Sequence, residues 1–123
     1  MPTSHQATLG KLGEDEACRE LCRRGYAILA RGYRTRCGEL DIVARDGDVL
    51  VFVEVKTRSG GAFGSPLEAV TERKRLKLVR MALDYITRSR LSKVACRFDV
   101  VGVLRQAGTT RVEVVVDAFS IQD

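Results

Sequence analysis

Residues 41 to 56, with the sequence DIVARDGDVLVFVEVK, predict a β-hairpin. The tripeptide DGD at 46–48 is a turn signal, and it separates two segments with the composition of strands. The second segment, residues 49–57, is apolar on both faces until Glu54, which is typical of a central strand covered on both sides. An ionised carboxylate is costly in such a strand unless it is paired or binds a metal ion. Glu54 therefore needs a partner.

The first strand of the hairpin, residues 40–44, alternates in chemistry along the chain, so its two faces are predicted to differ. One face is predicted to carry Leu40, Ile42 and Ala44, and the other Glu39, Asp41 and Val43.

The position of the turn decides which carboxylates lie opposite each other. With positions 47 and 48 at the centre of the turn, Asp41 lies opposite Glu54. With positions 46 and 47 at the centre, Glu39 lies opposite Glu54 and Asp41 lies on the diagonal. Both registers place Asp41 and Glu54 on one face, whereas a three-residue turn without a bulge would separate them. Lys56 follows Glu54 by two residues and shares that face.

The remaining elements follow from periodicity and from turn signals. Residues 9–24 mix apolar and charged positions at helical spacing and stop at Gly25, which predicts the first helix. Residues 26–33 suit a first strand, and residues 97–103 and 111–119 suit two last strands around a turn at 106–108. Residues 58–63 are interpreted as a flexible basic loop.

A capping box with proline at the first helical position, residues 65–68, starts the second helix. The helix can re-cap near Thr71 and continues to about residue 89. Its predicted apolar face consists of Leu76, Val79, Leu83 and Ile86. The order is thus helix, three strands, helix and two strands, with the second helix as a crossover between parallel strands. The fold class is α/β, with helices against a mixed sheet.

Bulk properties restrict the class of protein. The chain has 123 residues, the size of a single domain, and its 45% hydrophobic residues suffice for one core. The net charge of +5 favours a polyanionic partner, although a soluble protein without such a partner can carry the same charge. No stretch approaches the roughly 18 apolar residues of a membrane span, so we expect a cytoplasmic protein.

The four cysteines permit two interpretations. Cys18 and Cys22 are four residues apart on a predicted helix and can share a zinc ion, but they lack the C-x-x-C spacing of a zinc ribbon. The sequence contains one histidine, His5, and it lies far from the cysteines. Free thiols in a reducing compartment are the simpler interpretation.

The shared hairpin face gathers Glu39, Asp41, Glu54 and Lys56. Carboxylates are hard ligands that suit Mg²⁺ or Mn²⁺, and such an ion activates water and neutralises charge on a phosphate. A lysine supplies a compact positive charge that orients the water or stabilises the transition state. The alternative is a structural ion-pair cluster at a sheet edge, because carboxylate and lysine neighbours are common there.

The segment 38–41, GELD, and the segment 52–58, FVEVKTR, resemble the D-x(n)-E-x-K signature of the PD-(D/E)XK nuclease superfamily. Nearly the whole chain resembles one of its families, the YraN-like endonucleases, which are similar to archaeal Holliday-junction resolvases. Further matching positions are Gly10, Gly13, Glu14, Ala17, Phe63-Gly64, Ala69-Val70, Lys74 and residues 97–100. The chain departs from the family at Gly32-Tyr33, where relatives often carry asparagine and tryptophan.

The resemblance implies a restriction-endonuclease-like fold and a role for each matching residue. Asp41 and Glu54 would bind the metal ion, the Val55 carbonyl would be a further ligand, and Lys56 would be catalytic. Glu14 corresponds to the acidic residue that the first helix of the resolvases contributes, and it would bind the metal through water. Glu39 fits the family motif and would lie just outside the direct ligands.

The residues that would face DNA are basic and flank the motif, where they can bind backbone phosphates. They are Arg34, Arg36, Arg58, Arg73, Lys74 and Lys77. For the helix residues, a solvated basic face is the alternative. The aromatic residues Tyr26, Tyr33 and Phe98 suit the core or the sheet edge better than base stacking, and Asp99 suits a structural salt bridge.

The leading hypothesis is a Mg²⁺- or Mn²⁺-dependent endonuclease for branched or structured DNA, with the choice of substrate taken from the resolvase resemblance. Symmetric cleavage of a junction would require two sites and hence a homodimer. One rival is a nucleic-acid-binding module that does not cleave. A second rival is a structural protein with an ion-paired sheet.

Overall fold

One mixed sheet of five strands follows the order of the chain, β1-β2-β3-β4-β5. The computed structural model describes residues 4–59, 64–91 and 93–120, with side chains from residue 10 onward. The elements are α1 (Ser4–Arg23), β1 (Ala27–Thr35), β2 (Gly38–Asp46), β3 (Val49–Ser59), a 3-10 turn (Pro66–Ala69), α2 (Glu72–Arg88), β4 (Cys96–Gln106) and β5 (Thr109–Phe119). β3 and β4 are parallel and the other neighbours antiparallel. The predicted α/β class, the element order and the mixed sheet are confirmed.

The two helices pack against opposite faces of the sheet because β3 is apolar on both faces. Val51 and Val53 belong to a core cluster with Ala17 of α1, whereas Phe52 belongs to a second cluster with Met81 of α2. The strand is therefore central and covered on both sides, as the sequence predicts. None of the described helices is long and apolar enough to span a membrane.

The predicted apolar face of α2 is buried only in part, since Val79 and Ile86 pack against the core cluster as predicted. Leu76 and Leu83 are 53% and 47% exposed, and the residues that enter the core are instead Leu78, Met81 and Ala82. The next residue of this face is Tyr85, whose ring packs edge-on against Tyr33 at 5.2 Å and Phe52 at 5.9 Å between centroids. This aromatic contact orients the helix about its axis.

The region between β3 and α2 corrects a second expectation. Arg58 and Ser59 are strand residues rather than loop residues, because β4 provides parallel partners for them at Leu104 and Arg105. The rest of the predicted basic loop, and Phe63 of the family motif, lie outside the described residues. The predicted second cap is confirmed, since the Thr71 side chain accepts a hydrogen bond from the Lys74 amide.

A buried polar network ties the start of β4 to the rest of the sheet. Asp99 is 1% exposed and accepts hydrogen bonds from the Tyr26 hydroxyl at 2.8 Å and from Arg97 at 3.0 Å. Arg97 also pairs with Asp46 at 2.9 Å. The predicted structural role of Asp99 is confirmed, and Tyr26 and Phe98 are core residues as expected.

α1 lies very close to β3 at Gly13. A Cβ atom built on Gly13 would collide with the Thr57 side chain, so only glycine permits this approach. The contact places the middle of α1 beside the end of the hairpin that carries Glu54 and Lys56. Gly13 therefore has a packing role in addition to its match with the family motif.

We expect Gly13→Ala to lower the free energy of unfolding by about 1–3 kcal/mol, because the added methyl group overpacks the contact with Thr57. Urea denaturation measures the change. Gly10→Ala is the matched control, because a Cβ at Gly10 of the same helix meets nothing within 4 Å. It should leave stability unchanged or raise it by up to about 1 kcal/mol. Equal effects of the two substitutions would contradict the close approach.

Candidate metal centre

The register of the β2–β3 hairpin decides the positions of the carboxylates. The pairs run from Asp46 opposite Val49 to Ile42 opposite Val53, so Gly47 and Asp48 form the turn. Gly47 has a φ of 61°, the left-handed conformation that the first position of a tight hairpin turn favours. The structure thus adopts the first of the two registers predicted from the sequence.

One step beyond the last pair, Asp41 and Glu54 lie at opposed positions. The Asp41 carboxylate accepts a hydrogen bond from the Val55 amide, with 2.8 Å between Oδ2 and N. In a regular ladder the Val55 amide would donate to a backbone carbonyl of β2, but here it donates to the Asp41 side chain. The Asp41 side chain is therefore held against β3 beside Glu54.

The regular alternation of β2 does not continue through Asp41, which corrects another expectation. Leu40 packs in the cluster on the α2 face, whereas Ile42 and Ala44 pack in the cluster on the α1 face. Beside Asp41 in β1, Gly32 has a φ of 62°, so the neighbouring strand is also irregular at this point. Because of this irregularity, Leu40 packs on the α2 side of the sheet although Ile42 packs on the α1 side.

Asp41 and Glu54 interact directly. Burial, followed by the hydrogen bond and charge of Glu54, raises the pKa of Asp41 to about 8. The Val55 amide and the Lys56 ammonium oppose this rise. Near neutral pH, Asp41 is therefore protonated and donates a hydrogen bond to the Glu54 carboxylate, since two adjacent carboxylates do not both ionise easily.

Lys56 completes this group. Its Nζ lies 3.8 Å from Glu54 Oε2, and the two side chains are only 19% and 12% exposed. Burial lowers the pKa of Lys56, and the nearby Lys74 ammonium lowers it further, while Glu54 acts in the opposite direction. Two ammonium groups side by side create a strongly positive point next to the carboxylates, where an anionic oxygen is stabilised.

α2 brings its lysines to the same place. A cavity of about 180 Å³ is lined by Glu39 and Glu54 from the sheet and by Lys74 and Lys77 from the helix. The cap at Thr71 starts the helix so that Lys74 lies in its first turn. The sequence predicts Lys74 and Lys77 either as DNA-facing residues or as part of a solvated basic helix face, and in the structure they line the cavity that contains Glu54.

Glu14 approaches the group from α1, but its direct partner is another residue. Arg31 of β1 donates a hydrogen bond to Glu14 at 3.1 Å and another to Asp15 at 2.6 Å. Burial raises the pKa of Glu14, Arg31 opposes the rise, and the charges of Asp41 and Glu39 add to it. Arg31 was missed from sequence, where a lone arginine in a strand gives no functional signal.

The other predicted site residues lie farther out. Glu39 pairs with Arg34 across the β1–β2 hairpin at 3.2 Å, and both side chains reach solvent. Arg36 and Arg73 are exposed, and Arg58 is exposed near the end of β3. The arginines surround the centre, whereas Glu39 also lines the cavity that contains Glu54.

The donor set fits a hard divalent ion. Mg²⁺ is usually held by one or two carboxylates and keeps several waters, whereas a closed cage needs more protein ligands. Asp41 and Glu54 supply two adjacent carboxylates. Within residues 10–59, 64–91 and 93–120, no three His, Cys, Asp or Glu side chains converge on a common point. The four cysteines are free thiols.

Comparison with known proteins identifies the family. Residues 13–103 match the model of the family described as "Uncharacterised protein family UPF0102". A UPF0102 protein of Syntrophus aciditrophicus is 45% identical over 91% of this chain and 88% of its own. One from Moorella thermoacetica is 48% identical over 89% and 93%, respectively. The YraN-like resemblance is thereby confirmed, and the chain belongs to the UPF0102 family.

Proposed function

We propose that this protein is a Mg²⁺- or Mn²⁺-dependent endonuclease with a restriction-endonuclease-like fold, acting on branched or structured DNA. The observation that carries the proposal is the contact between Asp41 and Glu54, with Lys56 Nζ 3.8 Å from Glu54. In a structural ion-pair cluster, each carboxylate would have a basic side chain as its nearest neighbour. Two carboxylates in contact in a half-buried site instead share one proton near neutral pH, and a divalent ion can replace that proton.

Each residue of the centre would have a role that follows from its position. Asp41 and Glu54 would hold the ion, with the Val55 carbonyl as a further ligand. When bound, the ion supplies Lewis acidity and an activated water at neutral pH. Lys56 stabilises the negative charge that develops on the phosphate. Glu14 would contact the ion through water, and Glu39 would orient the neighbouring Arg34.

The basic residues around the centre would bind the DNA backbone. Lys74 and Lys77 line the cavity that contains Glu54, and so would contact the phosphates nearest to the scissile bond. Arg34, Arg36, Arg58 and Arg73 would contact more distant phosphates. A homodimer would supply the two sites that symmetric cleavage of a junction requires.

The test is cleavage of labelled four-way junctions, flaps, duplexes and single strands with Mg²⁺, Mn²⁺ or EDTA. The proposal expects metal-dependent internal cleavage, with branched substrates preferred. DNA binding without cleavage under any of these conditions would favour a non-catalytic nucleic-acid-binding module. Failure to bind both Mn²⁺ and DNA at low salt would favour a structural protein.

The affinity for Mn²⁺ should rise with pH and level off above about pH 8. Below this pH the metal-free site holds a proton on Asp41, whose pKa is about 8, and the ion must displace it. The expected slope is up to about tenfold per pH unit. Titration calorimetry in buffers with different ionisation enthalpies measures both the affinity and the released proton. An affinity that stays constant between about pH 6 and pH 8 would contradict this coupling.

A further inference from the structure

A larger groove lies beside the candidate metal centre, and Lys56 lines it, whereas no described residue of α2 does. Its volume is about 560 Å³, and its lining includes Lys56, Arg58, Gly102, Pro66 and Arg111. Lys56 lines this groove and Glu54 lines the smaller cavity under α2, and their side chains are 3.8 Å apart. The two spaces therefore meet at this pair.

The shape of the groove depends on Gly102. A Cβ atom at this position would collide with the Pro66 ring, so the absence of a side chain lets the turn Pro66–Ala69 rest on β4. Gly102 is paired with Lys56 on one side and with Glu113 of β5 on the other. The groove thus extends over the sheet from Lys56 towards the edge strand β5.

Two arginines lie in the next row of the sheet. Arg58 and Arg111 are both paired with Leu104, one from each side, so they stand about 10 Å apart across β4. Among the described residues, Arg111 has no hydrogen-bond or ion-pair partner. Guanidinium groups bind phosphate oxygens through paired donors, which suits them to a sugar-phosphate backbone. Among the described residues that line this groove, Glu113 is the single carboxylate, and they carry a positive net charge.

We propose that this groove binds the nucleic-acid strand beyond the scissile phosphate, with Arg58 and Arg111 as its phosphate contacts. The inference rests on the proposed function and deepens it. The strand crosses the Glu54–Lys56 pair, and nucleotides lie both under α2 and in the groove. Because both spaces are occupied, the substrate is cut internally, and a chain without ends is a substrate.

The binding test measures fluorescence anisotropy with a labelled single-stranded oligonucleotide in EDTA, at several salt concentrations. Arg58→Ala and Arg111→Ala should each weaken binding about five- to tenfold and reduce the salt slope by about 0.7, the value for one phosphate contact. Glu113→Gln should tighten binding. Arg19→Ala is the control with the same change of charge, because Arg19 lies on α1 and pairs with Glu16. Binding of both groove variants with wild-type affinity and salt slope would overturn the proposal.

The second arm uses covalently closed circular single-stranded DNA with Mn²⁺. The wild-type protein should linearise it, and Arg111→Ala should raise the substrate concentration needed without changing the affinity for Mn²⁺. If linear strands are degraded and circles survive, the strand does not pass through the groove. This inference then fails, whereas the proposed metal-dependent cleavage stands. If no DNA is cut, the proposed catalytic function fails, and the anisotropy arm still decides whether the groove binds a strand.

Discussion

Replacement of Asp41 by asparagine is expected to abolish Mn²⁺-dependent cleavage while stabilising the metal-free protein. The uncharged amide cannot replace the charge that would hold the ion, so activity should fall by about three orders of magnitude or more. Its oxygen can still accept the hydrogen bond that the Val55 amide donates to Asp41. Removal of the like charge beside Glu54 should also relieve repulsion at high pH.

The direction of the stability change follows from the pKa of Asp41. Its value of about 8 in the fold lies above the ordinary value of 3.8, so the folded protein retains this proton more strongly than the unfolded chain. Asp41 therefore contributes stability below about pH 4, and this contribution is lost as the pH rises through 8. At pH 9, Asp41→Asn should be more stable than the wild type by an amount on the order of a few kcal/mol.

Thermal unfolding at about pH 5 and pH 9, without metal, measures this difference, and calorimetry measures the affinity for Mn²⁺. Asp48→Asn is the matched control, because Asp48 lies in the exposed turn at the other end of the same hairpin. It should change neither property of the metal centre. Destabilisation by Asp41→Asn at pH 9, with Mn²⁺ affinity unchanged, would instead identify the cluster as a structural ion-pair group.

Replacement of Lys56 by methionine should reduce cleavage about 10²- to 10⁴-fold and strengthen Mn²⁺ binding. The Lys56 ammonium lies 3.8 Å from a carboxylate of the centre, so it competes with the ion for that negative charge. Without it the carboxylates attract the ion more strongly, but the developing charge on the phosphate loses its nearest protein cation.

Single-turnover cleavage at saturating Mn²⁺ separates the chemical effect from DNA affinity. Lys93→Met is the control, because Lys93 is exposed in the segment between α2 and β4. It should cleave at the wild-type rate. If Lys56→Met weakens DNA binding but reacts at the normal rate once DNA is bound, Lys56 anchors the substrate and does not assist the reaction.

The hairpin is the part of this site that can be predicted from short-range sequence patterns. Side chains of a strand alternate, and a two-residue turn preserves the parity between the strands, so the sequence alone predicts Asp41 and Glu54 on one face. The choice between the two allowed registers was open, because both turns suit the DGD tripeptide. The ladder from Asp46–Val49 to Ile42–Val53 decides it.

The rotation of α2 shows where local reasoning fails. The helix carries two overlapping apolar stripes, and periodicity favoured the one with Leu76 and Leu83. Contacts of Tyr85 with Tyr33 and Phe52 orient the helix so that the other apolar stripe faces the core. Those partners lie in distant segments of the chain, so no pattern within the helix contains this information.

The sequence by itself determined the α/β class, the central position of β3 and the shared face of Asp41, Glu54 and Lys56. These features depend on short-range periodicity, which each segment carries within itself. Only the tertiary structure decided that Lys74 lies beside Lys56, that Arg31 binds Glu14, and that a groove leads from Lys56 to Arg111. Such contacts join residues far apart in the chain, and their distances depend on how strands pair and helices pack.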